Sequence, residues 1–216
     1  MTRTSFGPQS KFTALEGLPE LSFSSPESKR TLSDDDCYAL WDKYAVPENI
    51  RRHSRLVAHI AQILAELALQ RNIKLSIDEI RASALLHDLG KAYSLMYGGA
   101  HAALGAAWVA GETRNYTVAQ GVLHHVYWPW KVREDASACQ LPILVLYADK
   151  RVKHDQCVTL TERFQDLQVR YGTSDDARAT IQSSLEQITA IETILSKVLG
   201  WEDLDAYSFT SRGMVY

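Results

Sequence analysis

Between residues 47 and 72 the apolar side chains recur at helical spacing, and the stripe they draw begins with a histidine. His53, Val57, Ile60, Leu64 and Leu67 step by four, three, four and three residues. His59 falls off that stripe and reads as a surface or rim histidine. The pattern returns four more times. A segment from Ser76 carries Ile77, Ile80, Ala84 and His87 on one face, ending at Gly90. After Gly98-Gly99, His101 opens the small-residue stretch HAALGAAWVAGE, which lets neighbouring backbones approach closely. Val118, Val122 and His125 share a face between Thr117 and His125, with His124 rotated away from it by about 100°. From Leu141, Val145, Asp149 and Val152 align, so a carboxylate falls on an apolar stripe. Buried carboxylates and imidazoles need partners, so a chain built this way must fold its polar stripe positions onto one another.

Two further helical patterns follow, one with Leu160, Phe164, Leu167 and Tyr171 and a long one with Ile181, Leu185, Ile188, Leu195 and Val198; both read as scaffold. Ser33 or Asp34 caps a short helix through Tyr44. No stretch alternates like a strand, and the expected class is all-α. With 216 residues and 46% hydrophobic content, the chain suits one core. That core is expected at 34–199, between a flexible Ser- and Pro-rich arm at 1–33 and a tail at 200–216. Trp201, Tyr207, Phe209 and Tyr216 of the tail are suited to pack on the bundle or on a second subunit of a homodimer.

The formal charge of −3, without a basic run, argues against stable duplex nucleic-acid binding. No apolar stretch reaches the roughly 20 residues of a membrane span, and the start lacks a signal-peptide core, so a soluble, cytoplasmic protein is expected. Cys37, Cys139 and Cys157 are widely spaced and read as structural thiols, neither a disulfide framework nor a thiolate site.

The convergent side chains are imidazoles and carboxylates, a donor set for Fe, Mn, Co, Ni or Zn, with Mg also compatible. Paired in this way they suit a hydrolytic centre. The segments RRHSRLVAHIA, ALLHDLGKAY and VLYADKRV resemble the H, HD and D motifs of the HD superfamily of metal-dependent phosphohydrolases, over about residues 47–171. The resemblance implies an HD helical bundle in which His53, His87, Asp88 and Asp149 bind a first metal, with Asp88 bridging to a second. His101 and His125 occupy positions similar to those that complete the second site in bacterial HD hydrolases cleaving diadenosine tetraphosphate symmetrically, whose centre is typically iron. The implied activity is hydrolysis of a phosphoester or phosphoanhydride, in a nucleotide or dinucleoside polyphosphate, by a metal-bound hydroxide.

Asp88 and Lys91 are the expected catalytic residues, Lys91 standing three positions after Asp88, where its ammonium can neutralise a phosphate oxygen. Arg55, Lys150 and Arg151 are candidate phosphate contacts, although cations beside helical stripes are commonly just solvated. Trp128, in the run Tyr127-Trp128-Pro129-Trp130, reads either as a hydrophobic plug or as a stacking wall for a nucleobase. A second His-Asp pair, His154-Asp155, lies in a polar segment and reads as solvent-facing. Two alternatives to the hydrolase stand beside it: a nucleotide-sensing HD domain without turnover, and a di-iron HD oxygenase, for which no additional acidic ligand is evident.

Overall fold

The computed structural model describes residues 30–201, together with Leu204 and Phe209. Most of the expected arm and tail therefore lies outside the described residues. The parts of both that are described are docked: Leu32 is buried, the Arg30 carbonyl accepts a hydrogen bond from Asn115, and Leu204 and Phe209 are buried against the bundle.

The class is all-α. Helix α1 (Asp34–Lys43) starts at Ser33, whose hydroxyl accepts from the Asp36 amide while Asp36 accepts from the Ser33 amide, a capping box that meets two otherwise orphaned donors. Helix α2 (Glu48–Gln70), about 35 Å long at 1.5 Å per residue, is the axis of the domain. Its stripe from His53 to Leu67 is buried throughout. Packed on it are α3 (Ile77–Leu86), capped by Ser76, and α7 (Leu141–Lys150). Between them in sequence come α4 (Lys91–Tyr97), α5 (His101–Thr113) and α6 (Tyr116–His124), the last capped by Asn115. Asp34 and Arg81 form a two-point ion pair that fastens α1 to α3, and the Trp41 indole donates to the Leu85 carbonyl at 3.0 Å.

After α7 the chain makes a two-residue antiparallel hairpin, β1 (Val152–Lys153) with β2 (Gln156–Cys157), turning at His154-Asp155 with His154 in the left-handed region at φ 57°. Helices α8 (Leu160–Tyr171) and α9 (Asp175–Leu199) complete the bundle. On α8, Leu160 and Phe164 enter the core as expected, but Tyr171, the last residue of the helix, is about half exposed.

Two glycines permit the close approaches on which the site depends. A Cβ on Gly121 would lie 2.5 Å from the Ser83 hydroxyl, where α6 crosses α3. A Cβ on Gly90 would lie 2.5 Å from the His101 carbonyl oxygen and 2.9 Å from the Gly105 nitrogen. Only a residue without a side chain lets the turn after α3 rest on the first turn of α5.

Candidate metal centre

Helix α3 stops at Leu86, and residues 87–90 form a tight turn closed by Leu89 donating to the Leu86 carbonyl and Lys91 to that of Asp88. The His87-Asp88 pair therefore occupies a buried turn and not the helix body, and this is what lets both side chains point into one space. Because Gly90 brings that turn against α5, His101 reaches Asp88, while His53 comes from α2, His125 from the end of α6 and Asp149 from α7.

Asp88 is the hub. Its Oδ2 lies 3.4 Å from His87 Nε2 and 3.9 Å from His53 Nε2, and its Oδ1 lies 3.4 Å from His101 Nε2 and 3.7 Å from His125 Nε2. Asp149 Oδ1 faces the first pair, 3.0 Å from His53 Nε2 and 3.7 Å from His87 Nε2. His101 and His125 bring their Nε2 atoms within 3.1 Å of each other. Two groups of donor atoms thus converge closely enough to hold a cation, His53 with His87 and Asp149, and His87 with Asp88 and His125.

Three of the imidazoles are set in the same way. The Nδ1–H of His53 donates to the His154 carbonyl at 2.8 Å, that of His87 to Ala84 at 2.7 Å and that of His125 to Val122 at 2.6 Å. A carbonyl only accepts, so each ring keeps a proton on Nδ1 and turns its Nε2 inward, the orientation a metal ligand requires; the Nε2 of His53 meets Asp149 Oδ1 there at 3.0 Å. His87 Nε2 is fully buried and has no hydrogen-bond partner among the described residues. A buried acceptor left unmet costs about 1–3 kcal/mol, so its orientation fits a cation that the ring is poised to bind.

The electrostatics divide the cluster. Burial opposes ionisation of Asp88, but His87 and Lys91 outweigh it and hold the carboxyl well below the usual carboxylate range. Burial is likewise outweighed at Asp149, by Lys150 and His53. His87 and Lys91 are both raised despite their burial, His87 by Asp88 and Asp149 and Lys91 by the same two carboxylates. Burial keeps His125 below its ordinary value, and burial together with His125 pushes His101 down to about 4. The two carboxylates are supported by direct ammonium contacts of 2.6 Å, Lys91 on Asp88 and Lys150 on Asp149. Without those partners, burying the carboxylates would cost several kcal/mol each.

A cavity of about 340 Å³ opens on the cluster, with His53, Asp88 and Lys91 in its lining. The HD domain family model matches residues 50–166, more than half of the chain. The chain belongs to the HD domain family. No curated protein and no solved structure matches it significantly, so the resemblance to diadenosine tetraphosphate hydrolases gains no support from either comparison.

The HD motifs account for the cluster but not for everything around it. Of the expected substrate contacts, Arg55 pairs with Glu48 at 2.9 Å and lies over the rings of Tyr38 and Trp41, on the outer side of α2. Arg151 is buried, donating to the Val158 and Leu204 carbonyls and the Tyr147 hydroxyl, so its guanidinium fastens the hairpin and the described tail to α7. Lys150 is buried beside Asp149. Trp128 is buried, its backbone exchanging two hydrogen bonds with Gln187 and its ring packed edge-on to His124 and Trp130. None of these four lines the cavity. His124 packs on those tryptophans, leaving His125 to reach Asp88.

Sequence reasoning missed four contributors. The His154 side chain is exposed as expected, but its carbonyl orients His53, a backbone role invisible in residue identity. Lys150 serves Asp149, not a phosphate. Arg163 and Arg170 of α8 line the cavity; their placement at i and i+7 around Asp166 was the available signal. Cys37 and Cys139 are buried, and burial pushes their thiols up to about 12 and about 11, away from nucleophilic use. Among the described residues, no helix is long and apolar enough to cross a membrane.

Proposed function

We propose that this HD-domain protein is a metal-dependent phosphohydrolase that cleaves a phosphoester or phosphoanhydride bond of a nucleotide or dinucleoside polyphosphate and works with two metal ions, iron foremost. The observation that carries the reading is the division of Asp88, whose two oxygens face separate imidazole pairs. His53, His87 and Asp149 would hold one ion, His101 and His125 the other, and Asp88 both. When bound, such ions polarise a phosphoryl oxygen and lower the pKa of bound water.

The chain's own residues do the rest. The carbonyls of His154, Ala84 and Val122 keep three Nε2 atoms turned inward, and Lys150 keeps Asp149 ionised out of reach of solvent. Lys91 lines the cavity beside Asp88 and sets a positive charge where a phosphate oxygen would collect negative charge. The proposed partner is therefore a small phosphorylated compound.

The test is metal content per chain on anaerobically purified protein, coupled to a phosphate-release screen over nucleotides and dinucleoside polyphosphates, with His87→Ala as control. Two metals and turnover that the substitution abolishes are expected. Metal without turnover on any compound would sink the hydrolase, and one metal with turnover would remove His101 and His125 from the metal set.

A further inference from the structure

Beside the cluster, the same cavity is lined from α8 by Arg163, Arg170 and Tyr171. Arg163, Arg170 and Lys153 all draw on Asp166, at 3.5, 3.5 and 3.7 Å. One carboxylate does not neutralise three cations, so this wall keeps a net positive charge. Arg163 is the more telling of the pair. Its side chain is only 9% exposed, and its Nε–H is buried with no hydrogen-bond partner among the described residues. A buried guanidinium with an unmet donor is costly to maintain, and the pair with Asp166, one turn along the same helix, leaves that donor unmet. Arg163 lines the cavity, so an anion bound there lies beside its guanidinium. Arg52, in the same lining, is by contrast paired with Asp155 at 3.2 Å and half exposed. Arg163 lies inside the HD match, which ends at residue 166, and Arg170 and Tyr171 lie past it.

We propose that Arg163 and Arg170 form a second anion subsite, which binds a phosphate of the substrate other than the one held at the metal cluster, so that the preferred substrate carries at least two phosphates. The proposal rests on the reading of the cluster as a phosphate-handling metal centre.

The experiment is calorimetric titration of the metal-loaded full chain with non-hydrolysable phosphonate analogues of adenosine 5′-mono- and diphosphate, and of a hexose mono- and bisphosphate. Arg163→Gln and Arg170→Gln are compared with wild type, with metal content and melting temperature measured on each. In wild type the second phosphate is expected to tighten binding about tenfold or more. Each variant should lose that gain while keeping the monophosphate affinity and the metal. Since Arg170 is 43% exposed, its variant keeps the test sound should Arg163→Gln fold poorly. A gain in the nucleotide pair supports a nucleoside diphosphate, and one in the hexose pair a sugar bisphosphate. No gain in either pair, or equal weakening of mono- and bisphosphate in the variants, overturns the subsite. Phosphate release across the nucleotides and dinucleoside polyphosphates, run alongside, separates the two readings: an arginine-dependent gain without turnover of any of them would defeat the hydrolase alone, and turnover without the gain would defeat the subsite alone.

Discussion

At the Asp149 end of the cluster, His53 and His87 are buried, anchored through Nδ1 and faced by two carboxylates, each held by a lysine at 2.6 Å. At the other end His101 is 28% exposed and sits on the first turn of α5, with His125 and one oxygen of Asp88 as its neighbours. The charge balance runs in opposite directions, raising His87 and lowering His101 and His125. The contrast teaches that one end is a preformed, over-determined set of donors that could hold a cation, whereas the other depends on how closely two helices approach at Gly90.

The largest effect should come from the residue common to both ends. Asp88→Asn is expected to empty both positions and lower phosphate release by about 1000-fold or more, read by metal analysis and initial rates. Loss of only one metal would break the view of Asp88 as the hub.

Next in size is a difference in stability. Asp149→Ala strands Lys150 as a buried, unpaired cation and should cost about 3 kcal/mol, the usual result of breaking a buried pair. His101→Ala, at the more open end, should cost less than about 1 kcal/mol. Urea denaturation of the metal-free variants measures both, and equal losses would erase the distinction.

His101→Ala should also take the metal content from two per chain to one while the Asp149 end stays loaded, with phosphate release falling about tenfold or more.

A smaller effect follows from pH in the metal-free protein. The ordinary histidine value is 6.5 and His101 lies at about 4, so between them the unfolded chain holds the extra proton. The stability contributed by neutral His101 is whole above 6.5 and is lost as the pH falls toward 4. His87 is raised, so its contribution is present below 6.5 and is lost as the pH rises through its folded value. Histidine NMR titration should show the two rings moving apart in this sense; a His101 that titrates above 6.5 would contradict it.

Smallest are Arg55→Ala and Trp128→Leu. Neither residue lines the cavity, so KM should stay within about twofold, the scale of changes remote from a site. A Trp128 variant that weakened nucleotide binding sharply would restore the stacking wall.

Much of the site was legible because burial in a helix is periodic. His53 on the stripe with Val57 and Ile60, and Asp149 on that with Val145, announce polar groups inside a core, and His87-Asp88 between two leucines and Gly-Lys adds a recognisable pair. The helical turn favoured His125 over His124, and the packing of His124 on Trp128 and Trp130 separates the two. Arg55 and Arg151 show where this reading stops. Both are cations near ligands in sequence, yet one lies on the outside of α2 and the other is consumed by the Leu204 and Val158 carbonyls. Sequence proximity along a helix says nothing about which partner arrives from 50 residues away.

The sequence by itself determined the helices apart from α4, and with them most inward faces and the imidazole and carboxylate donors those faces carry, because spacing and residue type are local properties. Only the tertiary structure decided that Asp88 divides its oxygens between two pairs, that the His154 carbonyl turns His53, and that Arg163 of a helix read as scaffold faces the cavity. Each of these depends on the approach of segments far apart in the chain, at Gly90 against His101 and at the hairpin against α2. Such approaches are set by the packing of the whole core and leave no periodic trace in any one segment.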